Sequence, residues 1–126
     1  MVTRPDHPLA SNGAVPLEAL KAEPWIDTGS DGDARLRALG AQHGFTPDFR
    51  HRAEGAAQLR RLILAGLGSA LAPPPRDRDR LAVLALAEVD VTRPVVLAAI
   101  AGRRRSLAAD SLVRAARARN WSAEAT

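Results

Sequence analysis

Apolar and polar positions along the chain alternate between helical and strand-like spacing. Leu36 and Leu39 fall on one face of a helix that follows a polar, glycine-bearing turn, Thr28-Gly29-Ser30-Asp31-Gly32-Asp33, and runs to about His43, where Gly44 closes it. Leu59, Leu62 and Ile63 mark one face of a second helix over 56–65, with Gly66 placed for the left-handed residue that ends a helix. A third pattern, Ala109, Leu112, Val113 and Ala116, predicts a helix over about 107–119, with Ser106 as its N-cap. Pro16 opens a short helix, Pro-Leu-Glu-Ala-Leu, at the turn position where proline is tolerated. Between these lie short apolar runs that read as strands: Pro24-Trp25-Ile26, about 48–53, Ser69 to Ala72, Leu81 to Leu86, and Val95 to Ala101, the most apolar of all. Residues 1–13 read as extended or looped, a lead-in with no preceding partner, and 73–80 as a proline-rich, charged loop.

Strands alternating with helices predict an α/β sheet with helices packed on it. At 126 residues and 46% hydrophobic content the chain is one domain of ordinary size, or a piece of a larger one. It lacks cysteine, which excludes disulfides and thiolate metal sites. No apolar run approaches the ~20 residues of a membrane span, and the opening residues have no apolar signal core, so the expected location is cytoplasmic, without a membrane partner.

The net charge of +4 comes from basic residues that are nearly all arginine. Arginines of a nucleic-acid module should cluster on one face. Here they alternate with acids, as in Asp31/Arg35 and Asp33/Arg37, spaced as i,i+4 helix pairs, and in Arg76 to Arg80; Asp110/Arg114 has the same spacing. Arg103 to Arg105 is a pure basic run. An aromatic content of 3% is too low for a base-stacking platform. The arginines read as solvated surface, and no specific DNA binding by this chain alone is expected.

Catalytic readings find no support. His7, His43 and His51 are scattered without metal-site spacing, there is no nucleophile elbow or phosphate loop, and Gly66-Leu67-Gly68 precedes a strand instead of opening a helix. The chain is read as a non-enzyme with no cofactor and no metal.

Several phrases together resemble a known family. Asp6-His7-Pro8-Leu9-Ala10, then Val15 to Leu20 followed by Glu23-Pro24-Trp25-Ile26, then Gly44-Phe45-Thr46-Pro47, then Leu64 to Pro73, then Arg93 to Leu97, resemble in order the C-terminal part of the effector-binding domain of LysR-type transcriptional regulators. The resemblance covers nearly the whole chain. It implies a type II periplasmic-binding-protein-like lobe, three-layer αβα with a mixed sheet, truncated: 1–93 would hold the second effector-binding subdomain with its lead-in crossover strand, and 94–126 the return strand and final helix of the first subdomain. The family's winged helix-turn-helix, linker helix and first half of the first subdomain have no counterpart in this sequence. The implied partner is a small organic effector, often carboxylate-bearing. Self-association is expected from the uncovered edge of Val95 to Ala101. An independent solute-binding module and a nonfunctional gene fragment are the alternatives.

In open α/β sheets a ligand lies beyond the carboxyl ends of strands, near helix N-termini. Two such places are expected. Thr28, Gly29 and Ser30 follow one strand and offer hydroxyls and free amides; Glu54, Gly55 and Ala56 follow another and open the helix 56–65, whose first amides suit an anion. The family often carries a hydroxyl or amide side chain at the place of Glu54. A glutamate there repels a carboxylate, or is equally a helix-start acid complementing the dipole. Thr28 and Ser30 likewise have a plain turn and N-cap reading.

Overall fold

The computed structural model describes residues 1–11, 13–73, 80–87, 89, 96–98, 102 and 106–119. The chain divides into two compact units, Met1–Asp90 and Val91–Thr126.

The first unit is built on strands β1 (Val2–Thr3), β2 (Ala14–Val15), β3 (Pro24–Asp27), β4 (Asp48–Arg52), β5 (Ala82–Val83) and β6 (Ala85–Leu86), with helices α1 (Leu17–Leu20), α2 (Asp31–His43) and α3 (Ala56–Leu64). A 3-10 turn covers Pro8–Ser11. β3 pairs with β4 in parallel, β1 with β5 antiparallel, and β2 with β6 in parallel. The stretch expected as a strand over 69–72 forms single bridges instead, Ser69 parallel to Trp25 and Ala70 antiparallel to Val2. Those bridges join the ladders in the order β4, β3, 69–70, β1, β5, a mixed arrangement. The lead-in therefore has a partner after all: Val2 and Thr3 lie against Val83 and Ala82, and Met1 exchanges backbone hydrogen bonds with Leu84. Leu84 falls between β5 and β6, so the expected strand over 81–86 becomes two short ones. Ala14–Val15, to which the sequence reading assigned no element, pairs with Ala85–Leu86.

Side chains of a strand alternate between its two faces, and at β1, β3 and the 69–71 stretch both faces are buried. Met1, Trp25 and Leu71 share one cluster with Leu20 of α1 and Leu36 of α2. Their neighbours Val2, Ile26 and Ala70 share another with Ile63 of α3. Helices thus cover both sides of the strands, the three-layer αβα arrangement. Trp25 is fully buried, and its indole N–H donates to the Leu20 carbonyl at 3.2 Å, which ties α1 to the start of β3.

Two glycines set the helix–strand junction after α3. Gly66, at φ +74°, ends the helix, with Leu67 N–H returning to the Leu62 carbonyl. Gly68, at φ +149°, lies where a Cβ would stand 2.7 Å from the Pro24 carbonyl oxygen. This lets Ser69 N–H reach Pro24 O at 2.9 Å and Ser69 O receive Ile26 N–H at 2.8 Å.

The pairing of β3 with β4 is irregular. Trp25 faces Phe49 but Ile26 faces His51, so one extra residue of β4 is passed over between them. Beyond it, Asp27 stands opposite Arg52.

The second unit contains α4 (Leu107–Ala118), whose N-cap Ser106 accepts a hydrogen bond from Ala109 N–H at 3.2 Å. Val96 to Ala98 carry no regular structure; the rest of the strand expected over Val95 to Ala101 lies outside the described residues, as do Arg103 to Arg105 and Arg76 to Asp79.

Gly68→Ala is expected to lower stability by about 1–3 kcal/mol, from a strained φ together with a backbone clash. Gly44→Ala, at φ +71° but facing open space, should cost about 1 kcal/mol. Urea denaturation of both variants measures the difference, and equal losses would contradict the close approach at Pro24.

Candidate functional site

The geometry that places the candidate residues is the parallel pair β3–β4. Its strands end side by side at Asp27 and Arg52, and Ala53 N–H continues the ladder to Asp27 O at 2.8 Å. The two turns leaving them, Thr28-Gly29-Ser30 and Glu54-Gly55-Ala56, therefore stand at one end of the sheet, where α2 and α3 begin.

The first turn differs from expectation. Its amides are not free. The Asp33 carboxylate folds back from the first turn of α2, and its Oδ2 accepts Thr28 N–H at 2.9 Å, Thr28 Oγ1–H at 3.0 Å and Ser30 N–H at 3.1 Å. Gly29 N–H is taken by Asp27 Oδ1 at 2.8 Å. Ser30 is the N-cap of α2, its hydroxyl accepting Gly32 N–H at 3.3 Å. Asp33 thus occupies the place an external anion would take, an arrangement in which the helix N-terminus is satisfied by its own third residue. It is 2% exposed, and its Oδ1 is the one buried side-chain oxygen among the described residues that lacks a partner. α2 packs closely here, where a Cβ on Gly32 would overlap the Leu71 carbonyl.

The helix pairs expected from spacing are likewise rearranged. Asp33 is turned inward, so Arg37 reaches Asp27 Oδ2 at 3.5 Å and lies 4.3 Å over the Phe49 ring. Asp31 and Arg35 form no ion pair among the described residues. The hydrogen bond from Gly29, aided by the nearby charges of Arg52 and Arg37, holds the Asp27 carboxyl below its ordinary range.

The second turn is open. Gly55, at φ +117°, caps α3 without a side chain, and Glu54 N–H is taken by Gln58 Oε1 at 2.9 Å. The amides of Ala56 and Ala57 have no acceptor among the described residues, and Glu54 is exposed. Arg52, which the sequence reading did not single out, extends its guanidinium over Gly29. It supplies a cation between the two turns. The bulge in β4 puts it there, and nothing in the sequence marks the bulge.

The sequence profile of the LysR substrate binding domain matches residues 1–121. The chain belongs to this family. Among solved structures it superposes on the Synechocystis PCC6803 CcmR regulatory domain in complex with 2-PG, with a TM-score of 0.73 and 25% identity, over 93% of this chain and 60% of that one. HinK, a LysR family transcriptional regulator from Pseudomonas aeruginosa, gives a TM-score of 0.68 at 19% identity, over 90% of this chain and 41% of that one. The chain thus spans less than two thirds of either protein. No curated protein sequence matches it. The LysR substrate-binding domain is periplasmic-binding-protein-like, and the layers described above have that architecture. No helix among the described residues is long and apolar enough to cross a membrane.

Because the Asp27 carboxyl is held below its ordinary value of 3.8, its interactions stabilise the fold fully above that value and are lost as pH falls through the lowered one. Asp27→Asn should therefore flatten the acid limb of stability against pH below about 3.8. Thermal melts from pH 6 down to pH 2 check this; an unchanged acid limb would place the acid sensitivity elsewhere.

Proposed function

We propose that residues 1–93 form the second effector-binding subdomain of a LysR-type regulator, with 94–126 belonging to the first, and that the chain binds a small organic anion at the shared carboxyl end of β3 and β4. The observation that carries this reading is the contrast between the two turns. The α2 amides are filled by Asp33, while the α3 amides are open and flanked by Arg52. A carboxylate would lie on Ala56 and Ala57, with Arg52 as its counter-charge. Gly55 permits close approach, and Thr28, Gly29 and Ser30 form the opposite wall. Glu54 opposes an anion. We take the chain to act by ligand binding without catalysis, in the cytoplasm, and without sequence-specific DNA binding of its own.

Replacing Glu54 by glutamine should strengthen binding of a small carboxylic acid by about 1 kcal/mol, the scale of one unfavourable charge contact near a surface. Chemical-shift perturbation on titrating small organic acids into both forms provides the test. Shifts that avoid 52–58, or an affinity indifferent to the Glu54 charge, would reject this placement.

We further infer self-association. In the second unit Leu107 is 85% exposed, Leu112 63% and Val96 81%, and apolar side chains left this open favour association with another chain. Sedimentation should show mass rising with concentration; a monomer at all concentrations would oppose it.

A further inference from the structure

At the opposite edge of the sheet lies a second polar cluster, independent of the effector reading. β3 begins at Pro24, the bridging stretch begins at Ser69, and the antiparallel β1 ends at Thr3, so Arg4, His7, Glu23 and Gly68 gather at one edge. Glu23 is 7% exposed, Ser69 and Thr3 essentially not at all. Glu23 Oε1 lies 2.5 Å from Ser69 Oγ and 3.2 Å from His7 Nε2, and Ser69 Oγ lies 2.9 Å from Thr3 Oγ1.

The protons in this cluster can be ordered. A hydroxyl has one proton. The short contact to a carboxylate claims the Ser69 proton; the contact of Ser69 Oγ with Thr3 Oγ1 is the longer of the two. His7 Nδ1 accepts Leu9 N–H at 3.2 Å, so its proton sits on Nε2 and points at Glu23. Both donors to Glu23 are then neutral. Arg4 directs its Nε to Asp6 at 3.3 Å, and among the described residues no lysine or arginine forms an ion pair with Glu23. A carboxylate removed from water without a cationic partner is costly.

Beside it lies a pocket of about 80 Å³ lined by Thr3, Arg4, His7, Glu23, Gly66 and Gly68. Glu23 Oε2 has no protein partner among the described residues and keeps some accessible surface, and Glu23 lines this pocket. We propose that the pocket is a binding site for a small organic cation, a protonated primary amine, with Glu23 as its counter-ion. The volume admits only a few heavy atoms. No group of three or more ligating side chains suited to a metal occurs among the described residues, and an ammonium needs one open carboxylate oxygen. Arg4 is the other charged group of the lining: its Nη1 lies 2.9 Å from where a Cβ on Gly66 would stand, while its Nε pairs with Asp6 at 3.3 Å.

Methylammonium chloride, titrated against sodium chloride at matched ionic strength and followed by amide chemical shifts, tests the site. Saturable shifts at Leu9, Gly66 and Gly68 are expected, with a Kd on the order of 10 mM, near the ceiling for two heavy atoms. Glu23→Gln, which keeps the side chain's shape, should abolish the shifts. Equal shifts with sodium, persistence in Glu23→Gln, or no saturation would overturn the proposal. If that variant does not fold, equal shifts with sodium or shifts without saturation in the unaltered protein overturn it equally.

Discussion

The first unit depends on the close approach of the Ser69–Ala70 stretch to β3 and β1. Four backbone hydrogen bonds of 2.8–3.0 Å run from these two residues to Pro24, Ile26 and Val2. They join ladders that would otherwise be separate pairs, too small to bury anything alone. The approach is possible because Gly68 has no side chain to meet the Pro24 carbonyl. Once the stretch is seated, Ala70 faces Ile63 and Leu71 faces Leu36, so one backbone contact also sets both hydrophobic layers. Burial on both faces further specifies register, because a slip by one residue would exchange the two side-chain sets.

The same scaffold gives the two edges of the sheet different electrostatics. At the carboxyl end, acids and amides neutralise each other within the β3–α2 turn, and the open donors are left at α3. At the amino end, neutral donors hold a buried carboxylate in place. A carboxylate satisfied by a helix start and one satisfied by a serine and a histidine are chemically unlike, although both are buried. Asp33 has become part of the backbone capping, whereas Glu23 keeps one oxygen in contact with a cavity.

The helices were legible from sequence because their apolar spacing and end signals agree: Leu36 with Ser30 and Gly44, Ile63 with Gly66, Val113 with Ser106. The strands beginning at Pro24 and Asp48 were legible from composition. Ala14–Val15 and the break at Leu84 were not, because two-residue ladders owe their existence to a distant partner and leave no local period. At the candidate site, the positions of both turns followed from strand–helix order. The filling of the first by Asp33 did not, since an aspartate three residues beyond an N-cap reads as well as an i,i+4 partner of Arg37. The burial of Glu23 was hidden for a similar reason. A glutamate before a proline looks like surface until Thr3 and Ser69, far away in sequence, are brought against it.

The extra residue in β4 has a consequence for how such a site changes over time. With regular pairing, Asp27 would face His51, a weaker and titratable base. The irregularity brings Arg52, which stays charged at any accessible pH, to that position. Regular pairing of the unchanged sequence would thus replace a permanent cation by a conditional one without altering any side chain at the site. A change of register along an exposed edge strand offers this fold a route to new ligand preference that a comparison of site residues alone would overlook.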